Sequence, residues 1–268
     1  ITAAIFPQMT TAILSAREGN TMATSQRGPQ PRQRVTTKNS DDDPRVVFTR
    51  GSLVVTMLDR RDTHERDVVQ HRPTWSGCGV HRMDQVHGDG VRVVTTQTPC
   101  EPAGSMPQEW PDADAMVAAH SPVNLQVRTA DCVPVVLWDG QSGVVAVVHA
   151  GWKGLVAGVV PAALATMADL GATSPNIAAW VGPSICPQCY PVGPQVQDMC
   201  AEASPVSRAT ASDGTAAVDV AAGVIDQLAR GGVTDVTHDA RCTSEEPELF
   251  SYRGGDEVER LRIIASVA

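Results

Sequence analysis

Two apolar runs, VPVVLWD (133–139) and VVAVVHA (144–150), constrain this chain more than any other feature. Only the turn residues Gly140-Gln141-Ser142-Gly143 part them. Runs rich in β-branched residues with so short a turn between them form neighbouring antiparallel strands. Upstream, the alternating run LQVRTA makes another strand, and downstream the chain bends at Gly151-Trp152-Lys153-Gly154 into one long helix ending near Leu170. Cys132 stands where LQVRTA passes into VPVVLWD, and His149 closes VVAVVHA. The hairpin relationship therefore brings a sulfur and an imidazole to neighbouring strand ends. Gln85-Val86-His87-Gly88-Asp89-Gly90 offers a second histidine at another strand end. One Cys and two His make three ligands, the number an open catalytic zinc site uses.

The 268 residues suffice for one large domain or two small ones. A formal net charge of -9 argues against nucleic acid as a partner, and no apolar run reaches the length of a membrane span. Seven cysteines, an odd number with no regular framework, point to a reducing compartment and a cytoplasmic location. Residues 1 to about 45 are rich in Thr, Ser, Gln, Arg and Pro and read as a disordered tail, with Met22 a plausible start. Residues 46–268 are then the folded domain, which the family resemblance below implies is catalytic.

RVVFTRGSLVVTML predicts two short strands broken at Gly51. Asp62 to Arg72 predicts a short helical segment capped by Asp62, with His64 and His71 as surface residues. Val80–Val86 and Val91–Thr95 read as strands flanking the His87 loop, and Pro99–Pro111 as a loop in which Cys100 is a bystander. Asp112 and Asp114 are either a metal or general-base pair or simple turn chemistry before a strand. The helix from Trp152 to Leu170 carries apolar residues at helical spacing, and Pro161 is expected to bend or break it. Beyond it come a strand at Asn176–Val181, helices at Gln195–Ala203 and Val218–Arg230, a strand at Val233–Asp239 and the closing run LRIIASVA. Strands outnumber helices without alternating strictly, which predicts an α+β single domain with a mixed sheet rather than a doubly wound fold.

Taken singly, a Cys on an apolar strand is usually core. What distinguishes Cys132 is its company: Asp131 precedes it, and glycines follow both His87 and His149 at strand ends. Thiolate with imidazoles is a donor set that suits zinc, and a bound zinc makes a water nucleophilic near neutral pH. Cys186-Pro187-Gln188-Cys189 is a rival, but no second CxxC follows at zinc-ribbon distance. It reads as a loop in which Cys189-Tyr190 shapes a pocket wall.

QVHG at His87, TADCVPV at Cys132, HAGWKG at His149, VGPSICPQCYPVG, and the later DARCT and FSYR stand in the order of a known family. They closely resemble the laccase-domain family from Val80 to the C-terminus. Its members were first described as multicopper polyphenol oxidases and are regarded as zinc-containing purine nucleoside phosphorylases. The resemblance implies a domain with a sandwich-like sheet core and one zinc on His87, Cys132 and His149. It also implies phosphorolysis of adenosine, inosine or methylthioadenosine, with adenosine deamination as a further activity. Zinc rather than copper is expected, since laccases need several His-rich motifs and the seven His here are scattered. Small-molecule nucleoside and phosphate are the implied partners.

The family's Gly-rich segments ahead of QVHG are rewritten here as FTRGSLVVTMLDRRDTHERDVVQHR, and its GWRG is Gly151-Trp152-Lys153-Gly154. Cationic candidates for phosphate are Arg50, Lys153 and Arg253, with Gln85 as a further substrate-binding candidate. Lys153 would meet phosphate as a point charge. Asp131 would orient a zinc ligand or act as general base, alongside Cys132 and His149 in the chemistry. Three alternatives use the same residues differently. Cys132 activated by His149 would give an amidase or deamidase; copper would give a polyphenol oxidase; a diverged member would keep zinc without catalysis.

Overall fold

A computed structural model describes residues 45–62, 79–100, 110–119 and 121–268. The expected N-terminal tail, the segment carrying His64 and His71, and most of the Pro99–Pro111 loop lie outside the described residues.

The strands build two sheets that face each other. β1 (Val46–Arg50), β2 (Leu53–Leu58), β5 (Val123–Thr129) and β12 (Leu261–Val267) form a four-stranded sheet in the order β1-β2-β12-β5. β3 (Val91–Val94), β4 (Ala115–Ala118), β6 (Val133–Asp139), β7 (Val144–Ala150), β8 (Ile177–Val181) and β11 (Asp235–His238) form a six-stranded sheet in the order β11-β8-β6-β7-β4-β3. The larger sheet is mixed: β3 with β4 and β11 with β8 are parallel, the other pairs antiparallel. β9 (Arg208–Thr210) and β10 (Ala216–Val218) make a separate ribbon.

The continuous apolar runs of β6 and β7 have a simple cause: every residue of both strands is buried. Val133, Val135 and Leu137 pack toward the helices, while Val136 and Trp138 pack toward the four-stranded sheet. A strand covered on both faces has no solvent side to populate with polar residues, so it reads as a run rather than an alternation. Each Val or Leu so buried contributes about 1.5–3 kcal/mol relative to an exposed one.

Four helices lie among the described residues: α1 (Trp152–Ala157), α2 (Val159–Asp169), α3 (Pro194–Ala203) and α4 (Val220–Arg230). The long helix expected from Trp152 is broken, but at Gly158 rather than Pro161. Gly158 has φ 89°, a left-handed value that glycine tolerates best, and it ends α1 while opening α2. Pro161 sits in the first turn of α2, where its missing N–H has no helical acceptor to lose. The strand expected at Val80–Val86 reduces to isolated bridges, His81 with Leu125 and Asp84 with Asp112.

One connection sets up the site. β5 belongs to the four-stranded sheet and β6 to the six-stranded one, so the chain crosses between sheets over Ala130-Asp131-Cys132. Asp131 takes φ 90° in that crossing, a strained value for a non-glycine residue.

Candidate metal centre and cleft

The crossing leaves Cys132 at the mouth of the sandwich. Pairing of β6 with β7 sets Val133 opposite Ala150 and Pro134 opposite His149, which carries Cys132 toward Gly151 and the His149 ring. His87 arrives from its own loop with φ 64°. The ligand atoms of His87, Cys132 and His149 all lie within 4.8 Å of one another, and the two imidazoles meet edge to face with centroids 4.8 Å apart. All three sequence-derived ligands therefore converge. A Cβ on Gly151 would stand 3.0 Å from Cys132 Sγ and 3.2 Å from His87 Cδ2, so only glycine leaves the cluster this close to the start of α1.

Asp114 organises the histidines. It is fully buried at the foot of β4; its Oδ1 accepts from the His87 backbone N–H (3.0 Å) and its Oδ2 from Gly88 N–H (2.6 Å). The same Oδ1 lies 2.8 Å from His149 Nδ1. A carboxylate accepts, so Nδ1 carries the hydrogen and Nε2 presents its lone pair as the ligand atom. Burial works against charge on both partners. Hydrogen bonds from His149 and His87 nevertheless bring the Cys132 thiol down to about 6. Against the same burial, Asp114 and then Cys132 raise His149 to about 9. Two imidazoles with a low-pKa thiol make a donor set that could hold a metal ion.

Asp131 lines the same cleft as the cluster, but its carboxylate is bonded away from the histidines. Its carboxylate accepts from Thr243 Oγ1 at 2.7 Å and from the Arg253 backbone N–H at 2.8 Å. It ties the crossing to the 242–253 segment, and the carboxylate that orients His149 is that of Asp114.

The cluster opens onto a cleft of about 590 Å³, lined among others by Gln85, Asp131, Lys153, Tyr190, Tyr252 and Arg253. Gln85 is committed to the backbone: it donates to Arg128 C=O (2.7 Å) and accepts from Arg128 N–H (2.9 Å), fixing the approach to His87. Arg253 lies 4.7 Å over the Tyr190 ring, and Lys153 is exposed at the rim, its Nζ 5.8 Å from the Trp152 ring centroid. Arg50 is not among the cleft residues; its guanidinium pairs with Asp235 between the edges of the two sheets.

Two cleft cations escape sequence reading. Arg128 and Arg260 line the same opening. Burial, then the charges of Arg82 and Arg262, lower the Arg128 pKa, and its guanidinium sits 4.4 Å over the Trp110 ring. No spacing marks these residues, because β5 and the approach to β12 are joined only by the sheet. Asp114 did leave a signal, an acidic residue directly ahead of a buried strand, but turn chemistry gives the same one.

A two-sheet sandwich backed by helices, with a Cys–His–His cluster at the mouth of a cationic cleft, defines an α+β enzyme with a candidate metal centre. The chain belongs to the family described as multi-copper polyphenol oxidoreductase laccase, whose model matches residues 58–267. It is 47% identical over 171 residues to a Streptomyces coelicolor protein named purine nucleoside phosphorylase, covering 64% of this chain and 68% of that one. A Deinococcus radiodurans protein of the same name is 34% identical over 202 residues, covering 73% and 75%. The fold is shared with a Bacillus licheniformis hypothetical protein YfiH, at TM-score 0.73 and 20% identity over 85% of this chain and 98% of that one.

Proposed function

We propose that this protein is a zinc-dependent purine nucleoside phosphorylase whose catalytic unit is residues 46–268. The observation that carries the reading is the convergence of His87, Cys132 and His149 on a cleft rimmed by cations in a chain of net charge -9. The names of its relatives supply the reaction class. Adenosine, inosine and methylthioadenosine are the substrates we propose, with adenosine deamination as a second activity. Six free thiols among the described residues support a reducing, cytoplasmic setting.

In phosphorolysis a phosphate oxygen forms the new bond to the anomeric carbon, and the base departs with the electron pair of the broken C–N bond. Lys153, Arg253, Arg128 and Arg260 gather the phosphate against an otherwise acidic surface. Arg253 is held for this by Tyr190 under its guanidinium and by Asp131 on its backbone N–H. Tyr252, more than half exposed at the cleft, offers a face for stacking of the base. Zinc held by His87, Cys132 and His149 would supply Lewis acidity toward a substrate oxygen. Asp114 keeps His149 in the ligating tautomer throughout.

The test is adenine release from adenosine by the purified protein, with and without inorganic phosphate, beside a zinc determination. Release that ignores phosphate would sink the phosphorylase reading. A second reading rests on the Cys132 sulfur standing within 4.8 Å of a ring nitrogen of His149, a pairing suited to a cysteine amidase. Activity that survives chelation and is lost to iodoacetamide would favour it.

A further inference from the structure

Away from the cleft, a second group of ligand atoms comes together. Cys186, Cys189, Cys242 and Glu245 place their sulfurs and a carboxylate oxygen within 4.8 Å of one another. We propose that these four residues hold a structural zinc ion of their own.

The backbone is built for it. Cys186 to Cys189 is one tight turn closed by Cys189 N–H donating to Cys186 C=O at 3.0 Å. Cys242 to Glu245 is its counterpart, closed by Glu245 N–H donating to Cys242 C=O at 3.1 Å. A turn closed between positions i and i+3 throws both side chains to one side, and the two turns face each other. The bridge between Ser184 and Cys242 and the Cys186 N–H bond to Cys242 Sγ (3.3 Å) lock them together. The sequence offers one CxxC with no second, and the fold completes it with a CxxE.

The sulfur-to-carboxylate distances suit the ion. Zinc–sulfur bonds of about 2.3 Å and zinc–oxygen bonds of about 2.1 Å put tetrahedral neighbours about 3.6–3.8 Å apart. Cys189 Sγ and Cys186 Sγ stand 3.6 and 3.8 Å from Glu245 Oε1. Three sulfurs and one carboxylate favour a thiophilic divalent ion, and four protein ligands leave no open position, as in structural sites. Cys186 and Cys242 are buried, while Cys189 and Glu245 reach the surface and give the ion an entry path.

Such an ion would brace the cleft from behind. Thr243, next to Cys242, donates to Asp131; Ile185 N–H bonds Asp131 C=O at 3.0 Å; and Tyr190, next to Cys189, lines the cleft. The four ligands themselves lie outside the cleft lining.

Metal determination by mass spectrometry on the full chain, purified reduced and equilibrated with zinc, tests this. Two zinc per chain are expected, with His87→Ala/His149→Ala keeping one and Cys186→Ser/Cys189→Ser keeping one. Glu245→Ala, at an exposed position, should release the second ion to a chromogenic chelator at least about tenfold faster. In the unmodified protein, Cys189 should resist N-ethylmaleimide until the chelator is added. No zinc in His87→Ala/His149→Ala, chelator-independent Cys189 labelling, or a disulfide within the cluster would each overturn the proposal. No turnover is read, so failure of the phosphorylase reading would leave this result standing.

Discussion

His149 Nδ1 and Asp114 Oδ1 stand 2.8 Å apart, and both groups are buried. The same carboxylate holds the His87 and Gly88 backbone N–H groups, so one side chain sets the positions of two candidate ligands, one on a loop and one on β7. Replacing Asp114 with Asn leaves a neutral amide that must aim a donor at one of three donors. Metal affinity at the Cys132 centre should fall about 10- to 100-fold, the usual cost of losing an orienting carboxylate. Competition with a fluorescent zinc chelator measures this, and unchanged affinity would remove Asp114 from the site.

Gly151→Ala is a sharper probe of the same cluster. The added methyl would stand 3.0 Å from Cys132 Sγ, while the backbone conformation of Gly151, φ -82° and ψ 178°, is open to any residue. The variant should therefore fold with a near-native melting temperature and lose most of its metal at this centre. A melt by circular dichroism beside a zinc count separates the two effects, and full zinc occupancy would contradict the crowding argument.

Asp139 carries a pH dependence far from the chemistry. Its buried carboxylate accepts from the N–H groups of Thr173 (2.9 Å), Gln141 (2.8 Å) and Ser142 (3.3 Å). Burial alone would raise its pKa, but these three bonds outweigh burial and lower it. The stabilisation is thus complete above the ordinary carboxylate pKa and is lost as pH falls through the lowered folded value. Asp139→Asn should cost about 1.5–3 kcal/mol at pH 7, the range for hydrogen bonds to a charged group. Urea melts at pH 7 and pH 3 should show the gap closing in acid, and a gap independent of pH would refute the linkage.

Much of this was legible in the sequence, and what was not has physical reasons. β6, β7 and their ligands could be read because continuous apolar runs and a short turn leave one arrangement. The helix break was misplaced because Pro161 is disruptive in a helix interior and harmless in the first turn, and only Gly158 at φ 89° decides which applies. The partners of Asp131 were out of reach, since Thr243 and Arg253 lie more than a hundred positions away. Arg50 was a phosphate candidate on charge alone, and its pairing with Asp235 outside the cleft lining is a direction that local sequence does not give. Cys242 and Glu245 complete the CxxC from 56 positions away, through an isolated β-bridge that no local spacing encodes.

Lys153 and Arg50 form a matched pair that tests the phosphate assignment. Lys153 is exposed at the cleft rim beside the His–Cys–His cluster, 5.8 Å from the Trp152 ring. Arg50 is half exposed and ion-paired to Asp235, outside the cleft lining. An exposed ion pair of that kind is worth about 0–1 kcal/mol, so Arg50→Ala should leave both stability and the phosphate KM nearly unchanged. On the proposed phosphate role, Lys153→Ala removes a charge that would meet phosphate in the ground state and at the reacting centre alike. It should raise the phosphate KM about five- to tenfold and leave the nucleoside KM close to wild type. Initial rates over a phosphate series at fixed adenosine would read both variants. An effect of equal size at the two positions would mean that long-range charge alone, rather than a contact at the rim, draws phosphate to this cleft.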